Sequence, residues 1–191
     1  MDAAMWDEEY RSGRWRYLEG VAELGRYALI ASYLRHFVPA GRLLDVGCGE
    51  AILFGHLGPA GSFEYTGVDV SAVALETAAV RHPGIRLVAA AAEQFIEQAE
   101  GVFDVIVFNE VLYYLDDPIQ TLWRYRALLG RRGIAIVSMH YPSSDGSPWL
   151  AWVEQIWAEI DRDGWVCLDA CQLRNEQADL SWRVAALAAA E

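Results

Sequence analysis

The sequence predicts an α/β fold, in which a mostly parallel β-sheet carries helices on both faces and ends in an antiparallel strand pair. Two observations predict it. Short apolar runs alternate with helical patterns along most of the chain, and several runs are almost continuously apolar, as in strands that helices cover on both faces. The last part of the chain contains two β-type runs joined by a short polar turn, which favours an antiparallel pair.

The elements follow from apolar periodicity and from residues that start or stop a helix. Ser71 and Asp117 are expected N-caps, with Pro118 in the turn after Asp117, and Gly130 is expected to end the helix that Asp117 begins. The predicted strands are 42–47, 64–70, 85–89, 103–108, 133–139, 165–173 and 180–187. The predicted helices are 21–37, 51–57, 72–81, 92–100, 118–129 and 149–161.

The composition disfavours several classes of function. The chain has 191 residues, 54% hydrophobic and 22% charged, which fits one globular domain. The acidic N-terminus is unlike a secretion signal and no apolar run is long enough to span a membrane, so a cytoplasmic location is expected. The formal net charge of -12 opposes nucleic acid and anionic membranes; neither is a predicted partner, and the oligomeric state is left open. Cys48, Cys167 and Cys171 are not spaced as zinc ligands, so reduced thiols and no metal site are expected.

The first predicted strand runs into a glycine turn, Gly47–Cys48–Gly49, that opens a helix. Glycines there let backbone N–H groups approach a ligand at the positive helix N-terminus. Asp45 precedes the turn, and Asp69, about 20 residues beyond it, lies at the end of the second strand, where an acid can accept both hydroxyls of a ribose. A dinucleotide fingerprint needs a third glycine where Ile52 stands, and it does not explain Asp45. The pattern therefore favours S-adenosylmethionine over NAD.

Two segments carry a family resemblance. Leu44–Asp45–Val46–Gly47–Cys48–Gly49–Glu50–Ala51 resembles motif I of the class I S-adenosylmethionine-dependent methyltransferases, and Gly67–Val68–Asp69–Val70–Ser71 resembles their second motif. The resemblance extends over about residues 21–187. It implies a Rossmann-like seven-stranded sheet whose last strand is inserted antiparallel to its neighbours, and it implies S-adenosyl-L-methionine as the cofactor.

The resemblance also implies which residues bind this cofactor. Asp45 would position the methionine amino group, Asp69 would hold the ribose, and Val70 would lie against the adenine. Ala91 stands where an aspartate often binds the adenine amine, so adenine recognition would rest on the backbone of Ala92. Carried over residue by residue, the cofactor-binding set is Asp45, Gly47, Cys48, Gly49, Asp69, Val70, Ala91, Ala92 and Asn109.

The segment from Asn109 to Leu115 ends the fourth predicted strand, which faces the sulfonium in this family. It is similar to small-molecule N-methyltransferases of the nodulation-factor type, and Glu23, Arg26 and Tyr27 resemble the same group. Glu110 is an acid either of this rim or of a helix start, where the local dipole stabilises it.

Three residues are candidates for catalysis and for contact with the acceptor. Tyr113 and Tyr114 can stabilise the cation that methyl transfer moves onto the acceptor, or they pack under the sheet edge. His140 ends the fifth strand at the rim where ligands sit in open α/β sheets, and it is interpreted as a general base, a polar wall or a loop anchor. The resemblance does not require a base, because transfer from a sulfonium depends mainly on alignment.

Residues 1–20 interleave aromatic and basic side chains ahead of the predicted domain at 21–191. We interpret them as a flap over cofactor and substrate, with Tyr10 and Trp15 contacting the substrate. The alternatives are a helix packed on the body and, against the acidic net charge, a nucleic-acid arm.

The predicted function is transfer of a methyl group from S-adenosylmethionine to N or O of a small molecule, in secondary metabolism. The alternative is a non-catalytic domain of the same fold that binds S-adenosylmethionine or a partner, since a fold does not dictate a function. A protein or RNA methyltransferase is disfavoured by the charge and by the absence of an added recognition domain.

Overall fold

A seven-stranded sheet forms the centre of the computed structural model, which describes residues 2–58, 62–141, 147–162 and 164–190. The strand order is β3-β2-β1-β4-β5-β7-β6. β7 pairs antiparallel with β5 and with β6, and the other neighbours are parallel, so the predicted fold class is confirmed. The strands are β1 (Gly41–Val46), β2 (Phe63–Asp69), β3 (Arg86–Ala89), β4 (Phe103–Asn109), β5 (Leu129–His140), β6 (Trp165–Asn175) and β7 (Leu180–Ala189).

Helices cover both faces of this sheet. On one face Leu43 of β1 packs in a cluster with side chains of α2, α3 and α4, and on the other Leu44 packs with α5, α6 and α7. The helices are α1 (Ala3–Arg11), α2 (Leu24–Phe37), α3 (Ile52–Gly55), α4 (Ala72–Arg81), α5 (Ala92–Gln98), α6 (Pro118–Tyr125) and α7 (Pro148–Arg162). Short 3-10 helices lie at Arg16–Glu19, Leu112–Tyr114 and Arg126–Leu128. In the described parts of the chain, no helix is long and apolar enough to cross a membrane.

Both predicted N-caps are confirmed. The Ser71 hydroxyl accepts the backbone N–H of Ala74 at 3.2 Å, and the Asp117 carboxylate accepts that of Gln120 at 2.9 Å. Pro118 occupies the first turn after Asp117. These caps satisfy N–H groups that a helix start leaves without an intrahelical partner.

Several predicted boundaries are wrong: α2 begins at Leu24 rather than at residue 21, α5 ends at Gln98 rather than at residue 100, and β5 begins at Leu129 rather than at residue 133. Two others have a clear physical reason. Ala51 has a φ of 55°, in the left-handed region, so the helix predicted at 51–57 shortens to Ile52–Gly55. Gly130 does not end a helix: α6 ends at Tyr125, and Gly130 already belongs to β5. The first part of β5 is irregular against β4, and a Cβ on Gly133 would lie 3.0 Å from the Gly130 nitrogen. Gly133 therefore serves a close backbone approach within the strand, whereas a Cβ on Gly130 would meet only ordinary contacts at 3.6 Å.

The N-terminal segment is helical and contacts the body of the protein. α1 packs against α4, and the Asp7 carboxylate accepts hydrogen bonds from the Ser71 hydroxyl at 2.7 Å and from the Val73 backbone at 3.2 Å. These hydrogen bonds lower the pKa of Asp7, with Ser71 as the main cause. The contact places residues 3–19 beside the carboxyl edge of the sheet.

Candidate active site

A cavity of about 440 Å³ lies where the carboxyl ends of β1, β2, β4 and β5 meet. Predicted site residues that line it are Tyr10, Trp15, Asp45, Gly47, Cys48, Gly49, Asp69, Val70, Ala92, Asn109, Tyr113, Tyr114 and His140. Ala91 is not among the lining residues, although both of its neighbours are. It is the N-cap of α5, and its carbonyl accepts the backbone N–H groups of Gln94 and Phe95 at 3.0 Å.

The glycine turn has a different arrangement of hydrogen bonds from the expected one. Gly47 and Gly49 have φ values of 69° and 53°, which a side chain would strain. The N–H groups of Gly47 and Cys48 donate to the Val68 carbonyl at 2.8 and 3.0 Å, and that of Gly49 donates to Asp69 at 2.8 Å. The expectation that these N–H groups face a ligand is therefore wrong, because β2 accepts all three.

Two buried carboxylates flank this turn. Asp45 accepts the Tyr65 hydroxyl at 2.7 Å, yet burial, reinforced by the charge of Asp69, raises the pKa of Asp45 to about 7. Asp69 accepts the backbone N–H groups of Gly49 and Ser71, each at 2.8 Å, while burial raises its pKa against these hydrogen bonds. Two carboxylates so enclosed favour a cationic or hydroxyl-rich ligand.

Arg26 lines the cavity, although it is not among the predicted site residues. Its side chain is 1% exposed, and its guanidinium donates to the Glu23 carboxylate at 2.7 Å and to the Asn109 side chain. The ring of Tyr27 lies 4.4 Å from the guanidinium carbon. Nε is buried without a hydrogen-bond partner among the described residues. An arginine in an apolar stretch of helix was the available signal, but its contact with Asn109 spans 83 residues of sequence.

Glu110 links the ends of β4 and β5. It has a φ of 61°, and the carboxylate of this half-buried residue accepts the Tyr113 hydroxyl at 2.7 Å, the His140 backbone N–H at 3.0 Å and the Ser138 hydroxyl at 3.2 Å. Burial raises the pKa of Glu110, and the charge of Arg26 opposes the rise. Of the two alternatives, the structure therefore favours an acidic residue at the carboxyl edge of the sheet over one that starts a helix.

Aromatic side chains form the part of the cavity beyond Asn109. Tyr113 is buried and packs edge to face on both Tyr114 and Trp149, with ring centroids 4.7 Å apart in each pair. Tyr114 is 36% exposed and contacts Trp6 of α1 at 5.1 Å. Tyr113 therefore packs in the core, as one of its two interpretations states, and it also lines the cavity, while its role toward the acceptor stays a prediction.

A methyltransferase-domain family profile matches residues 14–178. The chain belongs to this methyltransferase family. Among curated relatives, the ubiquinone biosynthesis O-methyltransferase of Caulobacter sp. (strain K31) is 36% identical over 101 residues, which are 51% of this chain and 40% of that enzyme. The corresponding enzyme of Aromatoleum aromaticum is 35% identical over 85 residues, 42% of this chain and 36% of that enzyme. The matched region is thus less than half the length of these relatives.

Solved structures of two N-methyltransferases share the fold. NodS of Bradyrhizobium japonicum WM9, in complex with S-adenosyl-L-homocysteine, has a TM-score of 0.74 and 22% identity, with 93% of this chain and 92% of that chain covered. The 1,6-didemethyltoxoflavin-N1-methyltransferase of Burkholderia thailandensis has a TM-score of 0.74 and 18% identity, with 99% and 87% covered. The profile and these structures confirm the predicted resemblance to class I, S-adenosylmethionine-dependent methyltransferases.

We expect Asp45→Asn to flatten the dependence of stability on pH in the ligand-free methyltransferase. Burial raises the pKa of Asp45 from 3.8 to about 7, so between these values the folded protein binds a proton that the unfolded chain has lost. Stability therefore falls as pH rises through this window, and asparagine, which cannot titrate, removes that loss. Thermal unfolding between about pH 5 and about pH 8 measures this dependence of stability on pH. Asp116→Asn is the control, because Asp116 is exposed. Parallel curves for wild type and Asp45→Asn would contradict the raised pKa.

We expect Gly47→Ala to weaken both the fold and cofactor binding. A Cβ there would lie 2.5 Å from Cγ2 of Val111, whereas a Cβ on Gly84, whose φ is also positive, meets no described atom within 4 Å outside its chain neighbours. Gly84→Ala thus controls for backbone strain alone. In chemical unfolding, Gly47→Ala should lower the free energy of unfolding by about 1–3 kcal/mol more than Gly84→Ala does. Calorimetry should show about tenfold weaker binding of S-adenosylhomocysteine; wild-type affinity would remove this turn from the cofactor site.

Proposed function

We propose that this protein transfers the methyl group of S-adenosylmethionine to N or O of a small molecule. The observation that carries the proposal is the pair of buried carboxylates, Asp45 and Asp69, at the ends of adjacent strands on either side of a glycine turn. The acidic net charge, the enclosed cavity and the N-terminal segment over it support a small acceptor. We further propose a cytoplasmic location and a role in secondary metabolism.

The lining residues fit the methyl donor. Each Asp69 oxygen accepts one backbone N–H and keeps lone pairs for the ribose hydroxyls. Asp45, when ionised, would bind the methionine ammonium, and the buried Nε of Arg26 would bind the methionine carboxylate. Val70 and Ala92 would border the adenine.

When bound, S-adenosylmethionine supplies the methyl group: its sulfur–carbon bond breaks with the electron pair left on sulfur, while an acceptor lone pair forms the new bond and the acceptor proton leaves. Asn109, held by Arg26, would orient the reacting end. Tyr113 and Tyr114 would align the acceptor and exclude water. His140 would take the released proton, and Glu110 holds its backbone in place.

The comparisons support both acceptor atoms. The curated relatives are O-methyltransferases and the two structural neighbours are N-methyltransferases. The proposal therefore includes both nitrogen and oxygen as the methyl-accepting atom.

The direct test is to incubate the protein with S-adenosylmethionine and panels of amines, phenols and nitrogen heterocycles. Mass spectrometry should find methylated product and S-adenosylhomocysteine in equal amounts. Asp69→Asn should bind S-adenosylhomocysteine about tenfold less tightly, because the ribose loses a charged acceptor; Asp116→Asn is the matched control. Cofactor binding without methyl transfer or hydrolysis would favour the non-catalytic alternative, and no binding by folded protein would contradict the proposal.

We also propose that residues 1–20 act as a flap on the domain at 21–191. Replacing residues 1–17 by one methionine should leave the domain folded, because the sheet begins at Gly41. Affinity for S-adenosylhomocysteine and turnover should both fall about tenfold or more, since Tyr10 and Trp15 leave the cavity. Circular dichroism, calorimetry and the transfer assay measure these effects. If the truncated variant does not fold, residues 1–17 are part of the structure that stabilises the domain. If binding and turnover are unchanged, the segment is not a flap.

A further inference from the structure

Five aromatic side chains form what we call the aromatic chamber: Tyr113, Tyr114 and Trp149 of the domain, with Trp6 and Trp15 of the N-terminal segment. Tyr113 and Tyr114 follow β4, and Trp149 begins α7 after β5, whereas Asp45 and Asp69 end β1 and β2. Because β4 and β5 lie on the far side of β1 from β2, the chamber occupies the end of the cavity away from the residues assigned to the ribose.

Tyr114 is the central ring of the chamber. The centroids of its four neighbours lie within 6.5 Å: Tyr113 at 4.7 Å, Trp6 at 5.1 Å, Trp149 at 6.3 Å and Trp15 at 6.5 Å. Trp6 and Trp15 stack on each other with 29° between their planes. Ring walls of this kind favour a flat ligand with a π-system, because aromatic pairs gain energy beyond the area that they bury.

The guanidinium groups next to the chamber are already paired. Arg26 is bound to Glu23 and Asn109, and Arg14 pairs with Glu9 at 2.9 Å. An anionic ligand in the chamber would lose water without gaining a free cation, which is costly. The three hydrogen bonds that the Glu110 carboxylate accepts come from uncharged donors, and aromatic faces attract cations, so neither opposes a cation. The chamber therefore selects against carboxylates and phosphates.

Two donors of the chamber are unsatisfied. The indole N–H groups of Trp6 and Trp15 are buried and have no hydrogen-bond partner within the described ranges. A ligand with a ring nitrogen or a carbonyl could accept from them, which would remove the cost of the unmade bonds.

On the basis of the proposed function, we propose that the methyl acceptor is a flat heteroaromatic ring without a negative charge, which the aromatic chamber holds by stacking and which carries a hydrogen-bond acceptor for the indole N–H groups. Tyr114 is then a determinant of acceptor specificity rather than a cofactor-binding residue.

Calorimetry on the protein loaded with S-adenosylhomocysteine tests the acceptor class with three probes. Carbostyril is an uncharged fused ring with a carbonyl, its fully hydrogenated counterpart lacks the π-system, and quinaldate is anionic. We expect carbostyril to bind at least about tenfold more tightly than either of the others. Equal or tighter binding of any other probe, or no binding of carbostyril, would overturn the proposal.

Substitution of the central ring provides the second test. Tyr114→Leu should weaken carbostyril binding about tenfold, while Tyr114→Phe, which keeps the ring, should bind like wild type. S-adenosylhomocysteine affinity should fall much less than carbostyril affinity in Tyr114→Leu, because Tyr114 reaches the cofactor end only through Trp6 and Trp15. Trp123→Leu is the matched control, because Trp123 is 55% exposed on α6 and does not line the cavity. Unchanged carbostyril affinity in Tyr114→Leu would overturn the role of the chamber, whereas loss of S-adenosylhomocysteine binding by folded wild type would overturn the proposed function instead.

Discussion

The Asp69 carboxylate holds together the loops on which the site depends. One oxygen accepts the Gly49 N–H of the glycine turn and the other accepts the Ser71 N–H at the start of α4, each at 2.8 Å. Ser71 in turn donates its hydroxyl to Asp7 of α1. A buried carboxylate with two charge-assisted hydrogen bonds is a rigid junction, since removal of either partner would leave a buried polar group unsatisfied. The residue assigned to the ribose is therefore also the residue that shapes the turn beside it.

Electrostatics favours a cationic methyl donor in this cavity. Burial raises the pKa values of Asp45, Asp69 and Glu110, and each of these carboxylates is more costly to ionise in the folded protein than in water. The charge of Arg26 is shared between Glu23 and Asn109, so it compensates only part of this cost. S-adenosylmethionine carries a sulfonium and an ammonium, and these charges would offset the remainder. Because Arg26 is already bound to Glu23 and Asn109, the acceptor end of the cavity has no free cation to bind an anionic acceptor.

Local signals predicted the fold and most of the site. The strand runs, the N-caps at Ser71 and Asp117 and the positions of Asp45 and Asp69 each depend on a few neighbouring residues, and all lie where the sequence predicted. Most of the wrong predictions concern contacts between distant segments, whereas the late start of α3 follows from the local backbone of Ala51. The N–H groups of the glycine turn bind β2, which periodicity does not reveal. Arg26 meets Asn109 across 83 residues, and the early start of β5 at Leu129 accompanies an irregular pairing with β4.

The N-terminal segment contacts both halves of the cavity, so the two cannot be independent. The Tyr10 hydroxyl lies 2.5 Å from the position that a Cβ of Gly49 would occupy, and burial, reinforced by the charge of Asp69, raises its pKa. Trp6 and Trp15, from the same segment, contact Tyr114 at the opposite end. A ligand that orders this segment through Tyr10 also orders the aromatic wall, and thermodynamic linkage requires the reverse effect to be equal. In the proposed enzyme, the methyl donor would then help to build the chamber that receives the acceptor.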